Sequence, residues 1–548
     1  MKQRPILRDE VTHKTYNVVL LTLDRHAAGP AARVAPGLAQ DFGGLRLAIH
    51  AAAEWDSNPG ALDAAIADVG RADIIISSVI FLEDQVQAIL PALKARRDSC
   101  DAMINIIADQ EIVQLTQMGD LDMSRPASGV MGLLKKLKPK SKSGGRARDM
   151  TKMLRRLPKI LRLIPGKSQD LRAWFLAMQY WLGGSDENID SMIRFVLSRY
   201  ATSRPEWLGT QAELPIEYPE VGLYHPDLAG KGIITEIADL PHRIDGPTVG
   251  ILMLRSYILA GDTAHYDHVI RTFEARGMRV LPVFAGGLDG RPAMDAYLDG
   301  IDAMVSLTGF SLVGGPAYND SPAAVEALSK LDVPYLAAQP LEFQTLQQWE
   351  AGHQGLSPIE STILIALPEI DGATNPTVFA GRNSVDADTD HGAVSTDRAM
   401  APCAERIDAL AEKAHRLASL RRMRNADKTL AIVLFGFPPN AGAVGTAAYL
   451  SVFESLFNTL HRLAAEGYDL EPPQSVDALR DAVLNGNAKT YGQEANVAAK
   501  VSADTIVART PWLDEIETVW GPAPGRVQAN GREVFILGAQ FGKVFVGV

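Results

Sequence analysis

Apolar runs alternate with helix-patterned stretches through the first 110 residues of the chain. Four runs are continuously apolar and bounded by charged or turn residues, as expected of strands buried on both faces of a sheet. The predicted strands are 16–23, 46–52, 72–81 and 100–109, and the predicted helices between them are 30–41, 60–70 and 84–97. Strands and helices that alternate at this spacing predict right-handed βαβ units and a parallel, doubly wound sheet.

The same alternation returns after residue 246. Predicted strands lie at 248–258, 279–290, 302–320 and 334–343, followed by a helix over 403–424 and strand-forming sequence at 430–437 and 534–548. We therefore expect an α/β protein with several doubly wound parallel-sheet domains and helical insertions. The expected divisions are a flavodoxin-like α/β domain at 1–125, a basic linker with helices at 126–172, a helical connector at 173–245, a second α/β domain at 246–430, and the start of a further, truncated α/β domain at 431–548.

A strongly basic segment separates the first two predicted sheets. Between Lys135 and Arg172 the chain carries 14 Lys or Arg and two acids, although the net charge of the whole chain is −11. Residues 135–148 form a polar linker, and 151–167 alternate apolar with basic residues around Pro158. Two interpretations stay open. The break at the proline favours a pair of partly solvated helices against the protein body over one amphipathic helix on an anionic membrane.

Composition limits the classes of function. With 47% hydrophobic and 22% charged residues the chain is typical of soluble globular proteins, and no apolar run approaches the roughly 20 residues that span a bilayer. The N-terminus lacks the apolar core of a secretory signal, so we expect a cytoplasmic protein, with peripheral membrane contact through 135–172 as the alternative. The acidic body argues against binding of nucleic acid. Two cysteines, Cys100 and Cys403, are too few for a CxxC zinc site or a four-thiolate cluster.

The sequence LFGFPPNAGAVGTAAYL at 434–450 carries the strongest local signal. An apolar run predicts a buried strand, and a proline pair ends it because proline donates no ladder hydrogen bond. Asn440, Gly442 and Gly445 permit a tight turn, and Thr446 is expected to cap the helix that follows. The free N–H groups of such a helix start favour an anion. An ordinary connection between a strand and a helix explains the same residues equally well.

No recognisable ATP site is present in the sequence. The Gly-Lys-Ser triplet at 166–168 would need a glycine five positions earlier, where the chain has Leu161. His265 and His268 share one helix face by their spacing, which would suit a metal ion. Because no HExxH motif or third ligand is nearby, a capping or solvated role is favoured for both histidines.

A second glycine-rich turn, after the strand predicted near 302, is a candidate wall for a ligand. Its small, aromatic and polar residues suit a flat ligand: Gly314, Gly315, Tyr318, Asn319 and Asp320. The glycines admit the ligand, Tyr318 can stack on it, and the last two residues offer hydrogen bonds. His225 and Glu342 are weaker candidates of the same kind.

Several longer motifs resemble one known family. They are the 434–450 turn with the VFESL run after it, SLTGFSLVGGPAYND, SYILAGDTAHYD, FQTLQQWEAG, QYWLGGSDEN and LRRLPKILRLIPG. In order and along nearly the whole chain, they are similar to the large subunits of magnesium chelatase, the porphyrin-binding H subunits of chlorophyll and bacteriochlorophyll synthesis. The related cobaltochelatase large subunits share the strand–proline–glycine turn, whereas the N-terminal strands and LRRLPKI are closer to the magnesium family.

This resemblance implies a subunit that binds protoporphyrin IX and presents it for Mg²⁺ insertion, while two smaller AAA+ type subunits hydrolyse ATP. It also implies the downstream methyltransferase as a partner, and a location in the cytoplasm or at the periphery of the photosynthetic membrane. The candidate porphyrin-binding residues are then those named for the two glycine turns, together with His225 and Arg291. Basic side chains such as Arg291 would meet the propionates, and His265 and Glu342 are weak candidates for a metal ligand.

Members of this family are much longer than 548 residues, and the sequence stops within a strand that they continue. We therefore expect an N-terminal portion, from a split gene or a shortened chain, that is inactive alone. The resemblance assigns no catalytic or metal-inserting residue to this part. Two alternatives stay open: a cobaltochelatase large subunit that handles a corrin precursor, and a non-catalytic porphyrin-binding fragment.

Overall fold

The computed structural model describes residues 15–23, 28–55, 59–124, 157–158, 160–162, 164, 166, 168–314, 319–383, 399–435, 446–447 and 450–548. Contacts between residues divide the chain into two units, Met1–Ala418 and Ser419–Val548. Both units contain sheets flanked by helices, so the predicted α/β class is confirmed. The finer division into five segments stays a prediction.

The first unit begins with a sheet of six strands. They are β1 Tyr16–Thr22, β2 Leu45–Ala51, β3 Ile74–Ser78, β4 Ala102–Ile106, β5 Gln117–Met118 and β6 Leu121–Asp122. Their order is β2-β1-β3-β4-β5-β6, in which the first four run parallel and the last two are antiparallel additions at one edge. Each of the four strands predicted before residue 110 overlaps one of β1 to β4, so those predictions are confirmed.

Helices cover both faces of this sheet. They are α1 Ala28–Asp41, α2 Pro59–Arg71, α3 Glu83–Arg96, α4 Gln110–Gln114, α5 Ser168–Gly183 and α6 Asp186–Tyr200, with 3₁₀ turns at Ala52–Glu54, Arg97–Ser99 and Pro205–Trp207. Alternate residues of β1 enter two different cores: Val18 and Leu20 pack with α1, α5 and α6, and Val19 and Leu21 pack with α2 and α3. This two-sided burial explains the continuously apolar strand sequences.

A buried carboxylate ties β2 to α2. Asp68 accepts hydrogen bonds from His50 Nε2 at 2.9 Å, from Arg46 Nη1 at 2.7 Å and from Arg71 Nε at 2.8 Å. Burial alone would raise the pKa of Asp68, but the hydrogen bonds from His50, Arg46 and Arg71 outweigh it and hold this pKa below 3.8.

The Asp68→Asn substitution should lower the free energy of unfolding by about 1–3 kcal/mol at pH 7, because it weakens these three bonds inside the protein. The difference from the wild type should shrink as the pH falls below 3.8, since the unfolded wild-type chain then binds a proton that the folded protein does not. Urea unfolding of both proteins between pH 7 and pH 3 measures the difference. An equal difference at every pH would contradict this account.

A sheet of eight strands forms the second half of the first unit. The strands are β7 Val221–Tyr224, β8 Ile233–Ile234, β9 Thr248–Leu254, β10 Arg279–Ala285, β11 Ala303–Ser306, β12 Tyr335–Thr345, β13 Thr374–Arg382 and β14 Met400–Pro402. Their order is β14-β13-β12-β11-β9-β10-β7-β8. The central five run parallel, and β7 and β14 pair antiparallel beside them.

The helices of this half are α7 Arg255–Ala260, α8 Ala264–Ala275, α9 Arg291–Tyr297, α10 Ser321–Leu331, α11 Leu346–Ala351, α12 Pro358–Glu360, α13 Leu367–Asp371 and α14 Ala404–Arg422, with a 3₁₀ turn at Ile237–Asp239 and a π segment at Ser361–Ala366. One face of the sheet packs on α8 and α14, through residues such as Ile251 and Phe273. The other face packs on α9 and α10, through Leu252 and Met294.

The second unit contains a four-stranded sheet and a separate two-stranded hairpin. Its strands are β15 Leu430–Val433, β16 Thr446–Ala447, β17 Leu450–Ser451, β18 Val497–Ser502, β19 Glu533–Phe541 and β20 Val544–Gly547. Four of them form the order β15-β20-β19-β18, and β16 and β17 form a separate hairpin. The helices are α15 Val452–Ala465, α16 Val476–Arg480, α17 Ala488–Tyr491, α18 Ala503–Arg509 and α19 Leu513–Trp520, with a 3₁₀ turn at Asn425–Asp427 and a π segment at Asp481–Asn485.

Two predictions for this unit are wrong. The strand predicted as buried is the edge strand β15, and Val433 and Phe435 are 73% and 71% exposed. An apolar run indicates a strand, but it cannot tell an edge position from a central one. Thr446 does not cap a helix, because its backbone lies in β16 and α15 begins only after Ser451.

The basic segment is only partly described. Leu157 and Leu161 are buried in the core that includes α5, as expected of a segment that packs against the protein body. Within the described ranges, no helix combines the length and the hydropathy needed to cross a membrane. Membrane contact through 135–172 stays a prediction.

Candidate functional site

The strand order of the second sheet predicts a crevice at its carboxyl edge. After β9 the chain crosses to β10 on one side, and after β10 it returns to β11 on the other side of β9. Loops that follow β9 and β11 therefore leave in opposite directions, and ligands of doubly wound sheets bind at such a switch point. The crevice is the candidate functional site.

Arg255 is fixed at the β9 side of this crevice. Its Nη1 donates to the Pro219 carbonyl at 2.8 Å and lies 3.6 Å from Glu220 Oε1. Gly286, the first residue after β10, leaves room for this pair, because an added Cβ would lie 2.6 Å from Glu220 Oε2 and 2.8 Å from Arg255 Cζ. The carboxyl edge of the sheet thus carries a largely buried guanidinium, paired with Glu220, that the sequence patterns did not indicate.

A buried carboxylate fixes the loop that follows β11. Asp371, 2% exposed, accepts from Ser311 Oγ at 2.7 Å and from the Leu312 N–H at 2.9 Å. The Gly314 N–H donates to the Leu288 carbonyl at 2.7 Å, which joins this loop to the one after β10. The path of the loop is therefore set as far as Gly314, the first residue of the predicted ligand wall.

The predicted ligand wall is only partly described, since Gly315 and Tyr318 lie outside the described residues. Asp320 caps α10 by accepting from the Ala323 N–H at 3.2 Å, and the Asn319 amide donates to Ser321 Oγ at 2.9 Å. Both side chains therefore have local roles at the start of α10. A role in porphyrin binding stays a prediction for all five residues of the wall.

A chain of three charged side chains lies at the carboxyl ends of β12 and β13. Arg382 Nη2 is 3.1 Å from Glu342 Oε2, and Arg382 Nη1 is 3.6 Å from Asp262 Oδ2. Asp262 Oδ1 in turn accepts from the Met400 N–H at 2.9 Å. Glu342, a predicted metal candidate, is thus paired with a guanidinium.

Two other predicted residues have different surroundings. His265 is fully buried among the rings of Tyr257, Tyr266 and Phe379, with ring centroids 4.0–5.8 Å apart. Arg291 is held by Asp289 through bonds of 2.9 and 2.7 Å, and this carboxylate raises the pKa of the guanidinium. A propionate would have to compete with Asp289 for Arg291.

His225 has neighbours that the sequence patterns did not reveal. Among the described residues, a group of three potential metal ligands occurs only at His225, Asp227 and His242, whose ligand atoms lie within 4.8 Å of one another. His225 and Asp227 follow β7, but His242 lies in an irregular segment before β9, where no periodic pattern marks it. Within the described part of the chain, neither His265 nor Glu342 belongs to such a group.

The turn singled out from the sequence lies largely outside the described residues. Asn440, Gly442 and Gly445 are among the residues that are not described, and Thr446 is described only as part of β16. The predicted anion site at this turn therefore stays a prediction, without the helix cap expected from Thr446.

Comparison with known proteins decides the family. The profile described as CobN/Magnesium Chelatase matches residues 178–548, and a domain of unknown function, DUF3479, matches residues 17–175. The chain belongs to the CobN/magnesium chelatase family. The resemblance inferred from its motifs is confirmed.

Individual relatives in the CobN/magnesium chelatase family give the same picture. The magnesium-chelatase H subunit of Cereibacter sphaeroides is 61% identical over 547 residues, which cover 97% of this chain and 46% of that protein. The chloroplastic magnesium-chelatase subunit ChlH of Oryza sativa subsp. japonica is 35% identical over 88% of this chain and 35% of its own length. The aerobic cobaltochelatase subunit CobN of Pseudomonas aeruginosa is 28% identical over 68% of this chain and 29% of its own length.

One solved structure supports the fold. The catalytic subunit of cobaltochelatase from Mycobacterium tuberculosis matches 98% of this chain and 39% of its own chain, with a TM-score of 0.55 and 20% identity. At this identity the likeness concerns the fold alone. The chain spans about half the length, or less, of the relatives that it matches.

Proposed function

We propose that this chain is the porphyrin-binding part of an ATP-dependent magnesium chelatase, which presents protoporphyrin IX for Mg²⁺ insertion in bacteriochlorophyll or chlorophyll synthesis. The observation that carries the proposal is the 61% identity to the H subunit of a magnesium chelatase over 97% of the chain. The cobaltochelatase relative is less than half as similar and covers less of the chain. Protoporphyrin IX and Mg²⁺ are the substrates of this proposed reaction.

The chemistry of insertion requires a shaped, dry site. Mg²⁺ gives up its water ligands reluctantly, and the porphyrin must lose two pyrrole protons to accept the ion. Much of the flat apolar ring must be buried for stable binding. We place the ring against the carboxyl edge of the second sheet, where the loops after β9 and β11 diverge and where Arg255 and the Glu342–Arg382–Asp262 chain supply fixed charge.

Energy for insertion is proposed to come from other chains. The sequence contains no P-loop, so we assign ATP hydrolysis to two smaller AAA+ type subunits, with activity only in the complex. The downstream methyltransferase is a further proposed partner, because it would take over the metallated porphyrin. The basic segment 135–172 is the proposed point of contact with an anionic membrane surface.

Reconstitution tests this function. The chain is combined with the region of its relatives that it does not cover, the two ATPase subunits and ATP. Protoporphyrin IX with Mg²⁺, or a corrin precursor with Co²⁺, is then added. We expect the fluorescence of magnesium protoporphyrin only in the complete mixture with Mg²⁺. Insertion of Co²⁺ into a corrin precursor without magnesium insertion would favour a cobaltochelatase, and binding without any insertion would favour a non-catalytic fragment.

The glycine turn at 436–445 gives a narrower test. The Gly445→Val substitution should weaken porphyrin binding, because the branched side chain blocks close approach of the backbone to the ligand. Gly37→Val is the matched control, since an added Cβ at Gly37 meets nothing within 4 Å. Equal porphyrin affinity of both variants and the wild type, measured by fluorescence titration, would exclude this turn from the site.

A further inference from the structure

Three separate segments bring nitrogen and oxygen donors together outside the crevice. His225 and Asp227 lie just after β7, His242 lies in the irregular segment before β9, and Glu274 reaches them from α8. His242 Nε2 is 3.0 Å from Asp227 Oδ2, and His225 Nδ1 is 4.0 Å from the same oxygen. The two imidazole rings face each other edge-on with centroids 5.1 Å apart. The donors therefore converge on one point around Asp227 Oδ2.

The orientation of His225 is fixed by a second carboxylate. Its side chain is 1% exposed, and its Nε2 lies 3.2 Å from Glu274 Oε1. Nδ1 accepts from the Asp227 N–H at 3.1 Å, so it is the unprotonated nitrogen and Nε2 is the donor to Glu274. Metal-binding histidines are commonly held in this way, with the distal N–H on a carboxylate and the other nitrogen turned toward the ion.

We propose that His225, Asp227 and His242 bind a divalent transition-metal ion, with Zn²⁺ as the best match, and that Glu274 is a positioning residue behind His225. Two imidazoles and one carboxylate suit zinc, whereas Mg²⁺ prefers oxygen ligands. Three protein ligands leave a fourth position for water. This site is separate from the proposed magnesium and porphyrin chemistry, and its test does not depend on that function.

The ion would replace hydrogen bonds that the three ligand residues make without it. It would take the place of the Asp227 N–H on His225 Nδ1 and of the proton between His242 and Asp227 Oδ2, while Arg271 Nη2 stays on Asp227 Oδ1 at 2.9 Å. Because imidazole and carboxylate ligands must be deprotonated to bind a metal ion, binding should weaken in acid.

A bound ion would fix the irregular segment that contains His242 to the end of β7. His242 also lines a cavity of about 520 Å³ with Arg243 and Arg279. The metal would thus join the end of β7, the connection to β9 and, through Glu274, helix α8. This role predicts greater protection of the 235–247 connection when metal is present.

Metal titration of the chelator-treated chain tests the proposal. Co²⁺ serves as the spectroscopic probe, because its visible bands report nitrogen and oxygen ligation, and Zn²⁺ is then added in competition. We expect one Co²⁺ per chain, displaced by Zn²⁺ and unaffected by millimolar Mg²⁺. Glu274→Gln should weaken Zn²⁺ binding about tenfold to a hundredfold, and His242→Ala should weaken it further.

A control separates this site from general binding to histidine. His353 is exposed and lies after α11, so His353→Ala should bind Zn²⁺ as the wild type does. The His242 side chain is 46% exposed, so its removal leaves the core intact, and circular dichroism of the variant checks that. Zn²⁺ binding that is absent from the wild type, or equal in the wild type and His242→Ala, would overturn the proposal.

Discussion

Replacing Arg382 with Met should lower the free energy of unfolding of the first unit by about 3–5 kcal/mol, because the change leaves two largely buried carboxylates without their cation. The side chains of Glu342 and Asp262 are only 22% and 13% exposed, and both lie within 4.0 Å of the Arg382 guanidinium. The methionine fills much of the same volume, so the loss comes from charge and not from a cavity. Calorimetric unfolding of the wild type and the variant measures the effect.

Two further variants isolate the cause. Arg416→Met removes a guanidinium from an exposed ion pair with Glu412 on α14, and exposed pairs of this kind contribute only about 0.3–0.5 kcal/mol. Adding Glu342→Gln to Arg382→Met should restore part of the stability, because it removes one of the two uncompensated charges. If Arg382→Met were no more damaging than Arg416→Met, the ion chain would have no structural role at the carboxyl edge.

Replacing Gly538 with Ala should unfold or strongly destabilise the second unit, by about 3 kcal/mol or more. Gly538 lies in β19 at a φ of +139°, which alanine rarely adopts, and its partner across the ladder is Gly547 of β20. An added Cβ would collide with the Val546 carbonyl oxygen and lie 2.8 Å from Gly547 Cα. Both obstacles are backbone atoms, so no side-chain rotation can relieve the clash.

Gly467 provides the matched control for this second prediction. It also has a positive φ, +85°, but an added Cβ there meets nothing within 4 Å. Gly467→Ala should therefore show backbone strain alone, about 1 kcal/mol, without the clash. Urea unfolding followed by far-ultraviolet circular dichroism compares the two variants. Equal losses of unfolding free energy in the two variants would mean that the close approach of β19 and β20 does not exclude a side chain at position 538.

Much of the fold could be predicted because parallel strands buried on both faces are continuously apolar. The runs that contain Leu20, Ile75 and Ile251 identified their strands without any knowledge of their neighbours. The same rule wrongly predicted that β15 is buried, since an edge strand can also be apolar. Its partner β20 comes more than 100 residues later in the chain. The sequence of 430–437 alone does not indicate that β15 lies at the edge of the described sheet.

The buried ion pairs and the proposed metal site could not be predicted, because their residues lie far apart in the sequence. Glu342 and Arg382 are 40 residues apart, and they meet through the register of β12 and β13, which includes several shifts. His242 is 15 residues from Asp227, and the segment between them has no periodicity that would fix its path. The sequence indicated His225 only as a candidate for porphyrin binding, which stays a prediction, and the group that it forms with Asp227 and His242 required the structure.

A porphyrin titration shows whether this chain binds the proposed substrate by itself. Deuteroporphyrin is titrated into the chain while the intrinsic tryptophan fluorescence is followed, with the heat-unfolded chain as the control. We expect saturable quenching at micromolar porphyrin, with one porphyrin per folded chain and none bound specifically by the unfolded chain. Quenching that rises without saturation, or that is the same before and after unfolding, would contradict a porphyrin-binding role for this chain.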